Sequence, residues 1–245
     1  MQQIEFRTGV IRPLECFREG FDIIKPDFWL FFAITLVGML IAGAVPFAIL
    51  LGAMNCGIYF CILKQMRGEP VQFGDLFKGF QFFVPALVAT LVLIVPMIIF
   101  MVINWISIFG FLMALGPDLD QGSGTALFGL YAVIFGEAFI FALVSACIHT
   151  FLIFAYPLIV EYPLSGLDAF KLSARAAWAN LSGVVGIILW EFILGFAGFL
   201  VCGIGFYFVL PVMFAAVAVA YRRVFPEMQN TDFGPPPPES YNFNG

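Results

Sequence analysis

The chain has 245 residues, of which 62% are hydrophobic and only 11% are charged, and its formal net charge is -5 at pH 7. A water-soluble domain of this size cannot bury so much apolar surface, so the composition excludes an ordinary soluble protein and predicts that most of the chain lies in lipid. The single histidine and the absence of any C-x-x-C pair argue against a metal or cofactor site. We expect no nucleic-acid partner.

The N-terminal segment MQQIEFRTGVIRPLECFREGF is polar and amphipathic. It lacks the apolar core and the small-residue cleavage site of a signal peptide. We therefore expect the first membrane segment to act as an uncleaved anchor.

The first apolar block, residues 28–63, is too long for one crossing. As a single helix it would extend about 54 Å, against a hydrocarbon core of about 30 Å. Basic residues flank both ends of the block, and one crossing would place them on opposite faces, against the positive-inside rule. Gly43-Ala44-Val45-Pro46 supplies a flexible residue and a helix-starting proline near the middle. The sequence therefore predicts two crossings that fold back at this point.

The same reasoning applies to the apolar blocks 82–163 and 184–221. The first of these breaks at residues 116–124, which contain aspartates and no base, and the second breaks at 202–205. All 11 Lys and Arg residues then lie on one side of the membrane, which the positive-inside rule makes the cytosol. We predict an all-α integral membrane protein with six transmembrane helices in three hairpins and with both termini cytosolic.

A pattern of acid, any residue, phenylalanine and base occurs three times, as ECFR at 15–18, DLFK at 75–78 and DAFK at 168–171. Each copy precedes a pair of predicted spans, and its acid and base lie on one helical face. We interpret the copies as short amphipathic helices in the inner membrane interface. The alternative is that unrelated interfacial helices have converged on this pattern.

On this interpretation one membrane domain, residues 1–223, contains three pseudo-repeats, at 10–67, 72–163 and 165–223. The cations of the amphipathic helices would contact lipid headgroups. These cations are Arg18, Lys78, Lys171 and Arg175.

Several polar residues fall inside the predicted spans: Glu137, Glu191, His149, Asn55 and Asn104. Ionisable groups at such depth are costly and normally face the interior of a helix bundle or a wet cavity. One hypothesis is a proton or cation path through both glutamates and the histidine. The other is a structural role, in which neutral carboxyl groups hydrogen-bond across helices. The scarcity of further polar residues favours the structural role.

No catalytic motif is present, so we expect a protein that is not an enzyme. The C-terminal tail, residues 224–245, changes composition abruptly and contains four consecutive prolines at 235–238. This run predicts an extended cytosolic segment that either is unstructured or docks on a cytosolic partner.

Two stretches resemble a broad bacterial group of multi-pass membrane proteins that has no established activity. One is GAMNCGIYFCILKQMRGEPVQFGDLFKGF at 52–80. The other is AYPLIVEYPLSGLDAFKLSARAAWANLSGVVGIILW at 155–190, continued by CGIGFYFVLPVMFAAVAVAYRRVF at 202–225. The second match is the more specific, through Pro157, Ala169, Ser173, Asn180, Gly205, Pro211 and Tyr221-Arg222.

That group is similar to the membrane domain fused to some glycerophosphodiester phosphodiesterases, whose catalytic domain this chain lacks. The resemblance implies a six-span helical protein of the bacterial cytoplasmic (inner) membrane and no chemistry.

We therefore expect an accessory or scaffolding subunit of a membrane complex, which acts through contacts with lipids and with other membrane-protein subunits. The alternative is a transporter or channel for a small solute or for proton-coupled cargo, which would use Glu137 and Glu191.

Overall fold

A computed structural model describes residues 4–120, 124–201 and 203–227. This part of the chain is helical, without a β-strand. The α-helices are α1 (Pro13–Ile24), α2 (Phe28–Ala44), α3 (Leu51–Met66), α4 (Phe83–Asp120), α5 (Gly124–Leu152), α6 (Ala155–Glu161), α7 (Gly166–Ala179), α8 (Leu181–Leu200) and α9 (Ile204–Val224). Shorter 3-10 helices occupy Lys25–Asp27, Pro46–Ala48 and Phe73–Phe82. The proline run at 235–238 lies outside the described residues.

Within the described residues, five helical stretches are long and apolar enough to cross a membrane: Pro13–Ala44, Phe73–Ala114, Leu127–Glu161, Leu181–Leu200 and Ile204–Val224. The all-α prediction is thus confirmed for this part of the chain, and its apolar helices are compatible with a multi-pass membrane protein. The predicted sixth crossing corresponds to α3, which has only 16 residues and extends about 24 Å. This length is about 6 Å less than the hydrocarbon core, so six crossings stay a prediction.

Two of the predicted breaks between helices fall where the sequence indicated them. Helix α2 ends at Ala44 and a 3-10 turn begins at Pro46. Between α8 and α9, Gly203 has a φ of 73°, a left-handed conformation that glycine adopts without steric cost. Consecutive helices pack against each other in the pairs α2–α3, α4–α5 and α8–α9.

The first part of the predicted central loop at 116–124 is helical, because α4 continues through Pro117 to Asp120; residues 121–123 lie outside the described residues. An apolar environment favours helix wherever the chain permits it, since every backbone group must then find an internal hydrogen-bond partner.

The first amphipathic segment, α1, packs on α9 with Cys16, Phe17, Gly20 and Ile24 buried. At Gly20 the two backbones approach so closely that a Cβ atom would lie 2.7 Å from the Ala216 nitrogen. Only glycine therefore fits this crossing.

The second and third segments differ from the first in detail. DLFK lies in the 3-10 helix Phe73–Phe82 rather than in an α-helix. There the Asp75 carboxylate pairs with Lys64 at 2.9 Å and with Lys78 at 2.7 Å. The pair with Lys64 binds the segment to α3, and the pair with Lys78, three residues on, lies within the 3-10 helix itself. DAFK lies in α7, where the Ser165 hydroxyl accepts a hydrogen bond from the Asp168 amide and caps the helix.

Ion pairs gather several helix ends at one end of the bundle. Arg222 of α9 binds both carboxylate oxygens of Glu161, the last residue of α6. Arg67, which follows α3, lies 3.8 Å from the same carboxylate. Arg223 reaches back to Glu15 and Glu19 of α1 at 3.0 and 2.8 Å. The ends of α3, α6 and α9 thus share one face with α1.

The centre of the bundle is formed by α3 and the second half of α9, whose residues are buried on nearly every side. Helices α4 and α5 lie outside this centre. Large apolar side chains stand exposed along both of them, including Trp105, Phe109, Phe128 and Phe135. The described helices therefore enclose a compact region around α3.

Candidate functional site

A half-open cavity of about 360 Å³ lies beside α3 and is also lined by residues of α2, α4, α5, α6, α8 and α9. Its walls are largely apolar. The polar groups that line it are Asn55, Tyr59, His149, Tyr156 and Glu191. A mainly apolar pocket of this volume with a few converging polar groups is typical of sites for small molecules.

The cavity lies halfway along a helix of membrane-spanning length. Helix α8 has 20 residues and extends about 30 Å, the thickness of the hydrocarbon core. Glu191 is its eleventh residue, about 15 Å from the first. The Glu191 carboxylate therefore lies near the middle of this span.

Glu191 meets His149 across the gap between α8 and α5. The distance between Glu191 Oε2 and His149 Nε2 is 3.2 Å. The Glu191 side chain is 17% exposed and the His149 side chain is 53% exposed. The pair combines a shielded carboxylate with a more accessible imidazole, and can hold or release one proton.

A second polar group of the cavity comes from α3. Asn55 and the hydroxyl-bearing Tyr156 both line the cavity. The Tyr156 hydroxyl lies 3.1 Å from Thr90 Oγ1, which donates to the Ala86 carbonyl at 2.7 Å. Asn55 Oδ1 is buried, with no hydrogen-bond partner among the described residues. An unpaired buried acceptor of this kind favours a ligand that brings a donor.

The structure separates the two glutamates that the sequence analysis grouped together. Glu137 accepts a hydrogen bond from Asn104 at 2.8 Å, within the α4–α5 pair. The stacked rings of Phe100 and Phe141 lie nearby in the same pair, with centroids 4.1 Å apart. Glu137 is not among the residues that line the cavity. Of the proposed path, only Glu191 and His149 meet.

Sequence reasoning missed the two tyrosines of the cavity. Tyr59 and Asn55 are four residues apart on α3 and so lie on one helical face. That spacing was a usable signal. No such signal exists for Tyr156. It lies in the short helix α6, which follows a break at 153–154, so the direction of its side chain could not be derived from periodicity.

The four predicted headgroup cations have different surroundings. Lys78 is paired with Asp75 and lies over the Phe60 ring, 5.2 Å from its centroid. Arg18 lines an open cleft with the acids of α1. Lys171 and Arg175 are exposed on one face of α7, without an acidic partner in the described part of the chain. Of the four, these two are the best placed for lipid phosphates.

Comparison with protein-family models, with curated proteins and with solved structures finds no match. The resemblance to the bacterial multi-pass group therefore stays a prediction.

Proposed function

We propose that this is a non-catalytic integral membrane protein that binds a small amphipathic molecule in the cavity, as part of transporting it or of presenting it to other proteins. The observation that carries the proposal is the Glu191–His149 pair beside the unpaired Asn55 carbonyl, at the middle of a span. Ionisable groups at that depth are costly and commonly mark a functional site.

The proposal includes six crossings, with α3 as the short one, in a bacterial cytoplasmic membrane with both termini in the cytosol. The gathering of Arg67, Arg222 and Arg223 at one end supports it, since this end would face the cytosol under the positive-inside rule. Lys171 and Arg175 would then contact phosphates of the inner leaflet. The three pseudo-repeats remain part of this proposal.

The test is a bulky substitution inside the cavity. Met213 lines the cavity and is 9% exposed. Met213→Trp would fill the space, and we expect it to abolish binding of a compact neutral probe, 2-phenylethanol, to protein in nanodiscs. Leu189→Trp is the matched control, because Leu189 is 57% exposed on α8 and does not line the cavity. Equal loss or equal retention in the two variants would contradict the proposal.

A second function, that of an accessory subunit, is favoured by the length of α4 and α5. From His149, α5 extends back 25 residues to Gly124, about 37 Å. From Glu191, α8 has only nine further residues, about 14 Å. The α4–α5 tip would thus extend about 20 Å past the end of α8. Near this tip Phe128 is 77% exposed and Met113 is 72% exposed. Exposed phenylalanine and methionine side chains that extend beyond the lipid favour a second protein that packs against them.

Met113→Cys tests this second function. A membrane-impermeant thiol reagent would label the cysteine in purified, reconstituted protein. In native membranes a partner subunit would protect it. Equal labelling in both preparations would refute a covered tip.

A further inference from the structure

We propose that the cavity takes a small organic cation, with a primary ammonium head and a compact apolar body, and exchanges it for one proton held by the Glu191–His149 pair. The inference rests on the proposed function, because it requires that the cavity bind a ligand, and it specifies the ligand's charge.

The charge inventory of the cavity favours a cation. Its titratable groups are Glu191, His149, Tyr59 and Tyr156, and no Lys or Arg lines it. One oxygen of Glu191 is engaged by His149. Glu191 Oε1 has no hydrogen-bond partner among the described residues. The carboxylate oxygen Glu191 Oε1 is therefore open to a donor from a ligand, and Asn55 of the same lining carries a second acceptor that is buried and unpaired.

The depth of Glu191 explains why a proton must be exchanged. A lone negative charge at mid-membrane is unfavourable, so the carboxylate needs one compensating positive charge. In the empty cavity a proton on the pair supplies that charge, as imidazolium beside carboxylate. In the occupied cavity the ammonium supplies it. The balance is one ammonium bound and one proton released to water, with His149 left neutral and its Nε2–H still donating to Glu191.

The walls define the rest of the ligand. Phe206, Leu210, Met213 and Phe214 line the cavity opposite the polar groups. The volume of about 360 Å³ equals that of roughly twelve waters. An aromatic ring with a two-carbon arm and an amine fits within this volume. A carboxylate head would instead meet an acceptor on each side, with no cation free to receive it.

Three probes of nearly equal size separate the head groups: phenethylamine, 2-phenylethanol and phenylacetate. Each would be titrated calorimetrically into protein in nanodiscs. Titrations in buffers of different ionisation enthalpy report the protons released. We expect the amine to bind most tightly and to release about one proton per molecule bound at pH 5.5. While the Glu191–His149 pair is protonated, the affinity for the amine should rise about tenfold for each unit by which the pH is raised. Phenylacetate should not bind.

Two variants make the test specific. Glu191→Gln removes the charge and keeps the shape, and we expect it to lower amine affinity about 10- to 100-fold, to abolish proton release and to leave alcohol binding within about twofold. Glu137→Gln is the control, because it neutralises the other intramembrane carboxylate, which does not line the cavity. It should leave all three titrations unchanged.

The outcomes separate this inference from the proposed function. Binding of the alcohol as tightly as the amine, or amine binding without proton release, overturns the cation exchange and leaves a neutral-ligand site. Failure of all three probes contradicts both. Equal effects of Glu191→Gln and Glu137→Gln would also overturn the inference, because the lost binding would then not depend on the cavity.

Discussion

Glu161→Gln offers a sharp test of how the inner end of the bundle is held together. The Glu161 carboxylate accepts hydrogen bonds from the Tyr221 hydroxyl at 2.7 Å and from Arg222 Nη1 at 2.8 Å. The side chains of Glu161 and Arg222 are only 11% and 14% exposed. Glutamine keeps the shape of the side chain and removes its charge, which leaves a shielded guanidinium without its carboxylate.

The size of the effect follows from these contacts. Breaking a buried ion pair by removing one partner costs about 3–5 kcal/mol. The glutamine oxygen still accepts one bond, and Glu227 lies 3.7 Å from Arg222, so we expect about 2–3 kcal/mol here. For a chain of this length each kcal/mol lowers the Tm by about 2–4 °C. The predicted loss is therefore about 4–12 °C in a fluorescence-monitored thermal unfolding experiment in nanodiscs.

The same network provides the control. Glu69 pairs with Arg67 at 2.8 Å, but its side chain is 48% exposed. An exposed pair contributes at most about 1 kcal/mol, so Glu69→Gln should lower the Tm by less than about 4 °C. If Glu161→Gln unfolds at the same temperature as Glu69→Gln, the burial argument is wrong.

Three further substitutions test the packing around α3, with Gly43 of α2 as the control position. Gly57→Ala should destabilise the protein by about 1–3 kcal/mol, because its new Cβ would collide with the Leu76 carbonyl. At Gly43 a new Cβ would meet open space, so Gly43→Ala should be neutral or should stabilise the protein by up to about 1 kcal/mol. If unfolding in urea or SDS shows Gly43→Ala to be the less stable of the two variants, the close crossing at Gly57 is refuted. Asp75→Asn removes the charge that binds two lysines and should increase proteolysis at the exposed 67–72 connection. An unchanged cleavage rate would contradict a role for these ion pairs in docking the 3-10 helix.

Much of the architecture was predictable because composition and charge position act over long stretches of chain. The breaks after Ala44 and near Gly203 follow from local chemistry, since proline and glycine permit few alternatives. The extent of α4 was not predictable, because Pro117 and the aspartates beside it are common in loops and yet lie in a helix. The shortness of α3 depends on tertiary packing that periodicity does not report.

The site was predictable only in part. Depth alone identified Glu191, His149 and Asn55 as costly groups that needed a reason to be there. Which of them meet depends on helix rotation and on the break between α5 and α6, and neither is encoded in a short motif. For this reason Glu137 was grouped with Glu191, although its partner is Asn104.

The most direct test of the account is to locate a bound amine. A brominated phenethylamine, soaked into crystals of the protein, would give an anomalous signal from its bromine. The account predicts bromine among Phe206, Met213 and Phe214, with the ammonium nitrogen within hydrogen-bond distance of Glu191 Oε1. Bromine found only at the lipid-facing surface, with the cavity unoccupied at saturating amine, would contradict it.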